Sequence, residues 1–138
     1  MTDILSPEQR SYCMSRIRGF DSKIEVSVRT ELDRLGIPYE ANVMALPGRP
    51  DLVFTQAKLI VFVDGDFWHG YRYPSWKRKL SPYWSAKIER NRRRDRLNHA
   101  KLRRRGWQVM RLWGHQVYDD LPGCICRITS QLAHLTAA

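Results

Sequence analysis

Carboxylates and a histidine crowd into one stretch of this chain, Leu46 to His69, which reads LPGRPDLVFTQAKLIVFVDGDFWH. Asp51 opens a β-rich run, Asp51–Thr55. A second run, Lys58–Asp64, ends in Asp64, with Asp66 and His69 just beyond. The short polar link at Gln56–Ala57 makes the two runs a hairpin. A turn centred on Ala57 would set Asp51 across from Val63. Hard divalent cations take carboxylate oxygens, and an imidazole can move a proton near neutral pH. Such a set suits metal-assisted hydrolysis of a phosphodiester, where two ions stabilise the attacking and leaving oxygens. The Glu-x-Lys element of many DNA hydrolases is missing: the second strand ends Val63-Asp64-Gly65-Asp66. A polar sheet terminus without chemistry is the competing reading.

Other candidate groups come from further away. A long helix is predicted from Tyr83 to Arg105, ended by Gly106. At about 100° per residue, Trp84, Ile88, Asn91, Asp95 and Leu102 share its packed face. A carboxylate in the middle of that face needs a partner. Asp95 either pairs with an arginine or holds His69 in one tautomer and stabilises its imidazolium form. Glu25 either closes a capping box with Ser22 or receives a metal-bound water at a helix N-terminus. Phe67-Trp68 is either a core pair or a wedge that enters between base pairs.

The elements that must position these groups are legible in outline. The 138 residues favour one domain, 1–138, and 43% are hydrophobic, enough for a core. Ser6-Pro7-Glu8-Gln9 predicts a capped helix from Pro7 to about Ile17, ended by Gly19 and poor in apolar residues. It reads as an arm (1–19) on a core (20–138). A second helix is expected from Ser22 to about Leu35, with Ile24, Val28, Leu32 and Leu35 on one face. A strand at Tyr39–Met44, the hairpin, an aromatic and basic loop at Gly70–Pro82, the long helix, a strand at Trp107–Trp113 and a last helix opened by Asp119, Asp120 and Pro122 complete the order. That pattern predicts an α/β fold, one mixed sheet flanked by helices.

Net charge is +10 with pI about 10.0, and thirteen of the 24 Lys and Arg lie between Lys77 and Arg105. Clustered positive charge interleaved with Tyr71, Tyr73, Trp76, Tyr83 and Trp84 points to a nucleic acid as partner. No run approaches the ~18 apolar residues of a membrane span, and the N-terminus has no secretory pattern. Cys13, Cys124 and Cys126 form no disulfide framework and read as reduced thiols of a cytoplasmic protein. Cys124 and Cys126, two apart on a helix, are read as packing residues.

The chain resembles the very short patch repair endonucleases, which nick DNA beside T:G mismatches left by deamination of 5-methylcytosine. The likeness runs from about Arg10 to His115. It rests on Met14-x-x-Ile17 with Asp21–Glu25, Leu46-Pro47-Gly48-Arg49-Pro50-Asp51, Phe62-x-x-Gly65-x-Phe67-Trp68-His69, Trp84-x-x-Lys87-Ile88-x-x-Asn91-x-x-x-Asp95 and Gly106-Trp107-x-Val109. The resemblance implies a restriction-endonuclease-like fold and a Mg²⁺ cofactor, two ions. Asp51 and the Val63 main-chain carbonyl would be ligands, Glu25 would act through water, and His69, held by Asp95, would activate the attacking water. Asp64 is a further candidate ligand where the family has histidine. Phe67, Trp68 and Trp84 would intercalate, and Met14, Arg49, Lys87, Asn91 and Arg93 are further candidate DNA contacts. The N-terminal helix would clamp the other groove. Double-stranded DNA is the implied partner, with mismatch-repair proteins as candidates and a bacterial or phage nucleoid as the setting. The family's structural zinc ligands fall on Asp66, Tyr71, Tyr73 and His115, so no structural zinc is expected. A sequence-directed nuclease of a mobile element and an inactive DNA-binding module are the alternatives.

Overall fold

The computed structural model describes residues 7–137, except the side chains of Pro7, residues 10–18, Phe20 and Lys79. The predicted N-cap Ser6 and the side chain of Met14 lie outside the described residues. Strands β1 (Glu40–Ala41), β2 (Leu52–Phe54), β3 (Leu59–Asp64) and β4 (Gln108–Trp113) form one sheet in that order. The first three pair antiparallel, and β4 runs parallel to β3. Strand alternation sends Leu59, Val61 and Val63 to one face, where Ile24, Val28, Leu32, Leu112, Ile125 and Ile128 cover them. Ile60 and Phe62 go to the other face, with Val53 and Leu102. All six residues of β3 are buried. Asp64 is thus carried into the interior by a strand whose other members are apolar.

The helices are α1 (Pro7–Arg34), α2 (Asp66–His69), α3 (Tyr73–Trp76), α4 (Pro82–Arg104), α5 (Gly114–Asp119) and α6 (Leu121–Thr136). As predicted, α4 is long, and Asp120 caps α6 by accepting from the Gly123 N–H at 3.0 Å. Cys124 is buried and packs in the core as read, but Cys126 is exposed, so its reading as a packing residue is corrected: two residues apart on α6, the two point to different sides. Among the described residues no helix is long and apolar enough to cross a membrane.

Four local expectations are corrected. The two N-terminal helices are one, continuous through Gly19 and Ser22. One glycine in a helix costs only about 1 kcal/mol, less than the packing of Ile24, Val28 and Leu32 on the sheet returns. Ser22 therefore caps nothing, and the capping role considered for Glu25 does not exist. The Tyr39–Met44 strand shrinks to Glu40–Ala41, because Asn42 turns left-handed at φ 51°. The hairpin register pairs Leu52 with Val61, which sets Asp51 across from Phe62 rather than Val63. Its turn centres between Gln56 and Ala57, closed by the Lys58 N–H to the Thr55 carbonyl at 3.2 Å. The Gly70–Pro82 segment is largely helical, with α3 followed by a 3₁₀ turn at Lys77–Lys79. Its aromatics hold it: Tyr73 is buried with its hydroxyl on Glu89 (3.2 Å), and the Trp76 indole N–H donates to the Tyr71 carbonyl (2.7 Å).

The short helix α2, which carries Phe67, Trp68 and His69, is pinned at its end by Gly70 in the left-handed region, φ 71°. A Cβ there would stand 2.6 Å from Arg92 Cδ and 2.9 Å from Ile88 Cγ2. Gly70→Ala should cost about 1–3 kcal/mol of stability from backbone strain and overpacking. Urea denaturation measures it; an unchanged midpoint would show that α2 reseats freely.

Candidate active site

Four elements bring acidic or basic groups to one cavity of about 160 Å³. Glu25 comes from α1, Asp51 and Asp64 from the β2–β3 hairpin (Asp51 just before β2, Asp64 at the end of β3), His69 from α2, and Asp95, Asn98 and His99 from α4. Arg49, Phe62 and Val63 also line it. A larger opening of about 380 Å³ beside Tyr39, Phe54 and Leu132 holds one carboxylate, Glu40, and none of these groups.

Asp51 is fixed by the Val63 N–H, which donates to its Oδ2 at 2.7 Å. The one-residue change in register leaves this contact intact, because the Asp51 side chain reaches across the strand pair. The histidine question is also answered in distance: His69 Nδ1 and Asp95 Oδ2 are 2.7 Å apart. An ionised Asp95 can only accept, so Nδ1 carries the proton and Nε2 is left as the basic nitrogen of the neutral ring. Nε2 lies 3.5 Å from Asp64 Oδ1. Asp95 therefore has both partners that its helix position suggested, because Arg111 Nη2 also donates to its Oδ2 at 2.6 Å.

Burial lifts the Asp51 carboxyl to about 7; the Val63 N–H opposes the rise, and the Glu25 and Asp64 charges reinforce it. Burial likewise raises Glu25, against the pull of Arg29 and of its hydrogen bond with Asp51. Asp21, packed against Gly65 one turn before Glu25, is raised to about 6, mainly by burial. For His69, burial works downward, but the hydrogen bond to Asp95 and the Asp64 and Asp95 charges outweigh it and raise the imidazole. Asp95 is lowered: burial opposes this, and His69 and Arg111 overcome it. His99, its ring 4.7 Å from that of Phe62, is pushed down by burial and then by Arg111.

The Asp51–Glu25 side is thus a pair of half-buried carboxylates whose one ion pair among the described residues, Glu25 with Arg29, is 3.9 Å long, a donor set that fits a hard divalent cation. Among the described residues, Asp64, His69 and Asp95 also bring ligand atoms within 4.8 Å of one another.

Beside the cavity, Phe67 and Trp68 are half-buried, edge to face at 5.4 Å. Trp84 is buried beneath them, 6.1 and 6.2 Å from their rings. Lys87 lies over the rings of Trp68, Tyr83 and Trp84 at 5.4–5.8 Å. Asn91 donates to the Trp68 carbonyl at 3.0 Å, tying α2 to α4. Arg49 and Arg93 are exposed. The positions matched to the family's zinc ligands are engaged with protein groups. His115 Nδ1 meets Asp66 Oδ2 at 2.8 Å, Tyr71 packs on the His115 ring at 4.4 Å, and Tyr73 is in the core.

Sequence reasoning missed Asp21, Asn98, His99 and Arg111. Arg111 left a signal: in WQVMRLW it alternates in phase with Trp107 and Val109, on the face that packs under α4.

A mixed sheet flanked by helices, with carboxylates collected at the end of its central strand pair, defines a restriction-endonuclease-like nuclease. The family described as DNA mismatch endonuclease Vsr matches residues 2–75. A type II nicking enzyme of Xanthomonas oryzae, V.XorIIP, is 40% identical over 121 residues, covering 86% of this chain and 89% of its own. A type II nicking enzyme of Neisseria meningitidis, V.NmeDIP, is 38% identical, covering 88% and 84%. The DNA mismatch endonuclease Vsr of Escherichia coli is 31% identical, covering 82% and 74%. The chain belongs to the Vsr family and is a DNA endonuclease.

Proposed function

We propose that this enzyme nicks one strand of duplex DNA at T:G mismatches, in very short patch repair, with Mg²⁺ as cofactor. The observation that carries the reading is the convergence of Glu25, Asp51, His69 and Asp95 on one cavity beside an aromatic pair. Asp51 and the Val63 carbonyl would hold Mg²⁺ (two ions), with Glu25 acting through water. When bound, Mg²⁺ neutralises charge on the attacking and leaving oxygens. His69 Nε2 takes a proton from the attacking water, and Asp95 holds the opposite ring N–H and stabilises the imidazolium. Cleavage leaves a 5′-phosphate and a 3′-hydroxyl.

Phe67 and Trp68 are the wedge, with Trp84 as its backing. Arg49, Lys87, Asn91, Arg93 and Met14 contact the duplex, and residues 1–19 clamp the opposite groove. The nicking and mismatch names of the relatives support this reading. Mismatch-repair proteins are its expected partners, on DNA inside the cell. Nicking of T:G duplex over the matched duplex in Mg²⁺ is the test. Equal cleavage of both selects a sequence-directed nuclease, and binding without cleavage selects an inactive module.

Trp68→Ala should reduce the T:G preference, by about 1–3 kcal/mol for one lost stacking contact. The slope of affinity against salt should stay the same, because phosphate contacts set it. Competition binding at two salt concentrations measures both, and an unchanged preference removes the wedge.

Metal and proton compete at Asp51. A carboxyl raised to about 7 holds its proton more tightly in the folded chain than in the unfolded one. Its contribution to stability is full below about pH 4 and is lost as pH climbs to about 7. Mg²⁺ takes the proton's place above that window. Mg²⁺ should therefore raise the Tm relative to EDTA by a few degrees at pH 8 and hardly at all at pH 5. Equal shifts at both pH values would contradict the assignment of Asp51 as a ligand.

A further inference from the structure

Two carboxylates of the acidic cavity share a partner that no motif singled out. Arg111 sits on β4 opposite Phe62, its guanidinium 4.2 Å from the Trp113 ring. That guanidinium spans two carboxylates, with Nε on Asp64 Oδ2 and Nη2 on Asp95 Oδ2, both at 2.6 Å. Asp64 and Asp95 side chains are 6% and 12% exposed, so both depend on this cation. Among the described residues Glu25 has no comparable partner, since its ion pair with Arg29 is 3.9 Å long. Among the described residues, one side of the cavity is neutralised by the protein itself, and the other side is short of positive charge.

We propose that Arg111 is a positioning residue that partitions the site. It keeps divalent ions off Asp64, His69 and Asp95 and confines them to the Glu25–Asp51 side. The inference rests on reading Glu25 and Asp51 as the metal side. Asp64, His69 and Asp95 would otherwise gather an ion, because two carboxylate oxygens and an imidazole nitrogen already converge within 4.8 Å. An imidazole that ligates a metal through Nε2 has no lone pair left for a proton. By holding Asp64 and Asp95, Arg111 keeps Nε2 available and keeps Asp95 aimed at Nδ1. Mixed oxygen and nitrogen donors favour transition ions over Mg²⁺, so the partition matters most when such ions are present.

Co²⁺ titration of the DNA-free full-length protein, followed by calorimetry and visible absorption, tests this. Arg111→Gln should bind one additional Co²⁺ at least tenfold more tightly than wild type binds any at that position, with a new d–d band. Asp64→Asn added to Arg111→Gln should remove that band. In Mg²⁺, Arg111→Gln should lower kcat about tenfold and leave KM for DNA unchanged. A folded Arg111→Gln protein that takes up no more Co²⁺ than wild type overturns the proposal. Should that variant not fold, wild type decides: on titration with Zn²⁺, the His69 Nε2 resonance should show no direct ligation, and a ligated Nε2 overturns the proposal. Failure of the nuclease reading would show separately, as absence of cleavage by wild type, which the metal titrations do not involve.

Discussion

Asp51→Asn is expected to lower strand cleavage by about 10³-fold or more, the loss of roughly 4 kcal/mol of transition-state stabilisation by misplaced metal. DNA affinity measured in Ca²⁺ or EDTA should change little. The two effects should separate because the proposed metal site and the proposed DNA surface use different groups. Asp51 lies in the cavity on the Val63 N–H, whereas the basic residues of α4 and the rings of Phe67 and Trp68 lie beside it. The amide introduced by Asp51→Asn is nearly isosteric with the carboxylate, and its oxygen can still accept the Val63 N–H, so the fold should persist. Burial has already lifted the Asp51 carboxyl to about 7, and removing its charge should leave the metal-free protein no less stable at pH 8. A cleavage rate within tenfold of wild type would show that another group anchors the metal.

His69→Ala and Asp95→Asn form the second large expectation. Loss of a general base typically costs about 10²–10⁴ in rate, and both variants should fall in that range. Their pH profiles should differ. As the proposed general base, His69 would act in its neutral form, so activity should rise with pH through its pKa. In wild type, burial pulls that pKa down, but the hydrogen bond to Asp95 and the neighbouring carboxylate charges raise it overall. Asp95→Asn removes the largest of the raising causes. The acid limb should therefore move to lower pH while the plateau falls. In His69→Ala the limb should disappear. A plateau loss in Asp95→Asn with the limb unmoved would mean that Asp95 supports the fold through Arg111 and does not tune His69.

How much of this is legible in the sequence differs by element. The hairpin, α4 and α6 follow from local pattern: alternating apolar residues, a long stretch without breakers, and Asp120 before Pro122. The His69–Asp95 contact is legible in part: a carboxylate in the middle of a packed helix face needs a partner, local pattern leaves an arginine or His69 open, and the family resemblance favours His69. What fails are signals that local chemistry gives ambiguously. Gly19 and Ser22 look like a helix stop and start, yet the packing of Ile24, Val28 and Leu32 carries one helix through them. Glu25 is thereby undervalued, since the cap assigned to it does not form. Asp51 falls one residue out of register because the centre of a polar turn cannot be read from composition alone. Arg111 and His99 are missed for a tertiary reason. Each looks like one more basic residue in a basic chain, and only the parallel pairing of β3 with β4 and the docking of α4 bring them to Asp64 and Phe62. Trp84 looks like an intercalating ring, but its position on the packed face of α4 puts it beneath Phe67 and Trp68.

The central claim is that this cavity hydrolyses one phosphodiester of a distorted duplex with the help of a divalent ion. Strand-resolved cleavage of an end-labelled duplex carrying a single T:G pair, in Mg²⁺ and in EDTA, tests it most directly. In Mg²⁺ one labelled strand should be cut, with a 5′-phosphate on the downstream fragment and the other strand intact, and EDTA should abolish the cut. Two intact strands after incubation with wild-type protein in Mg²⁺ and in Mn²⁺ would contradict the account.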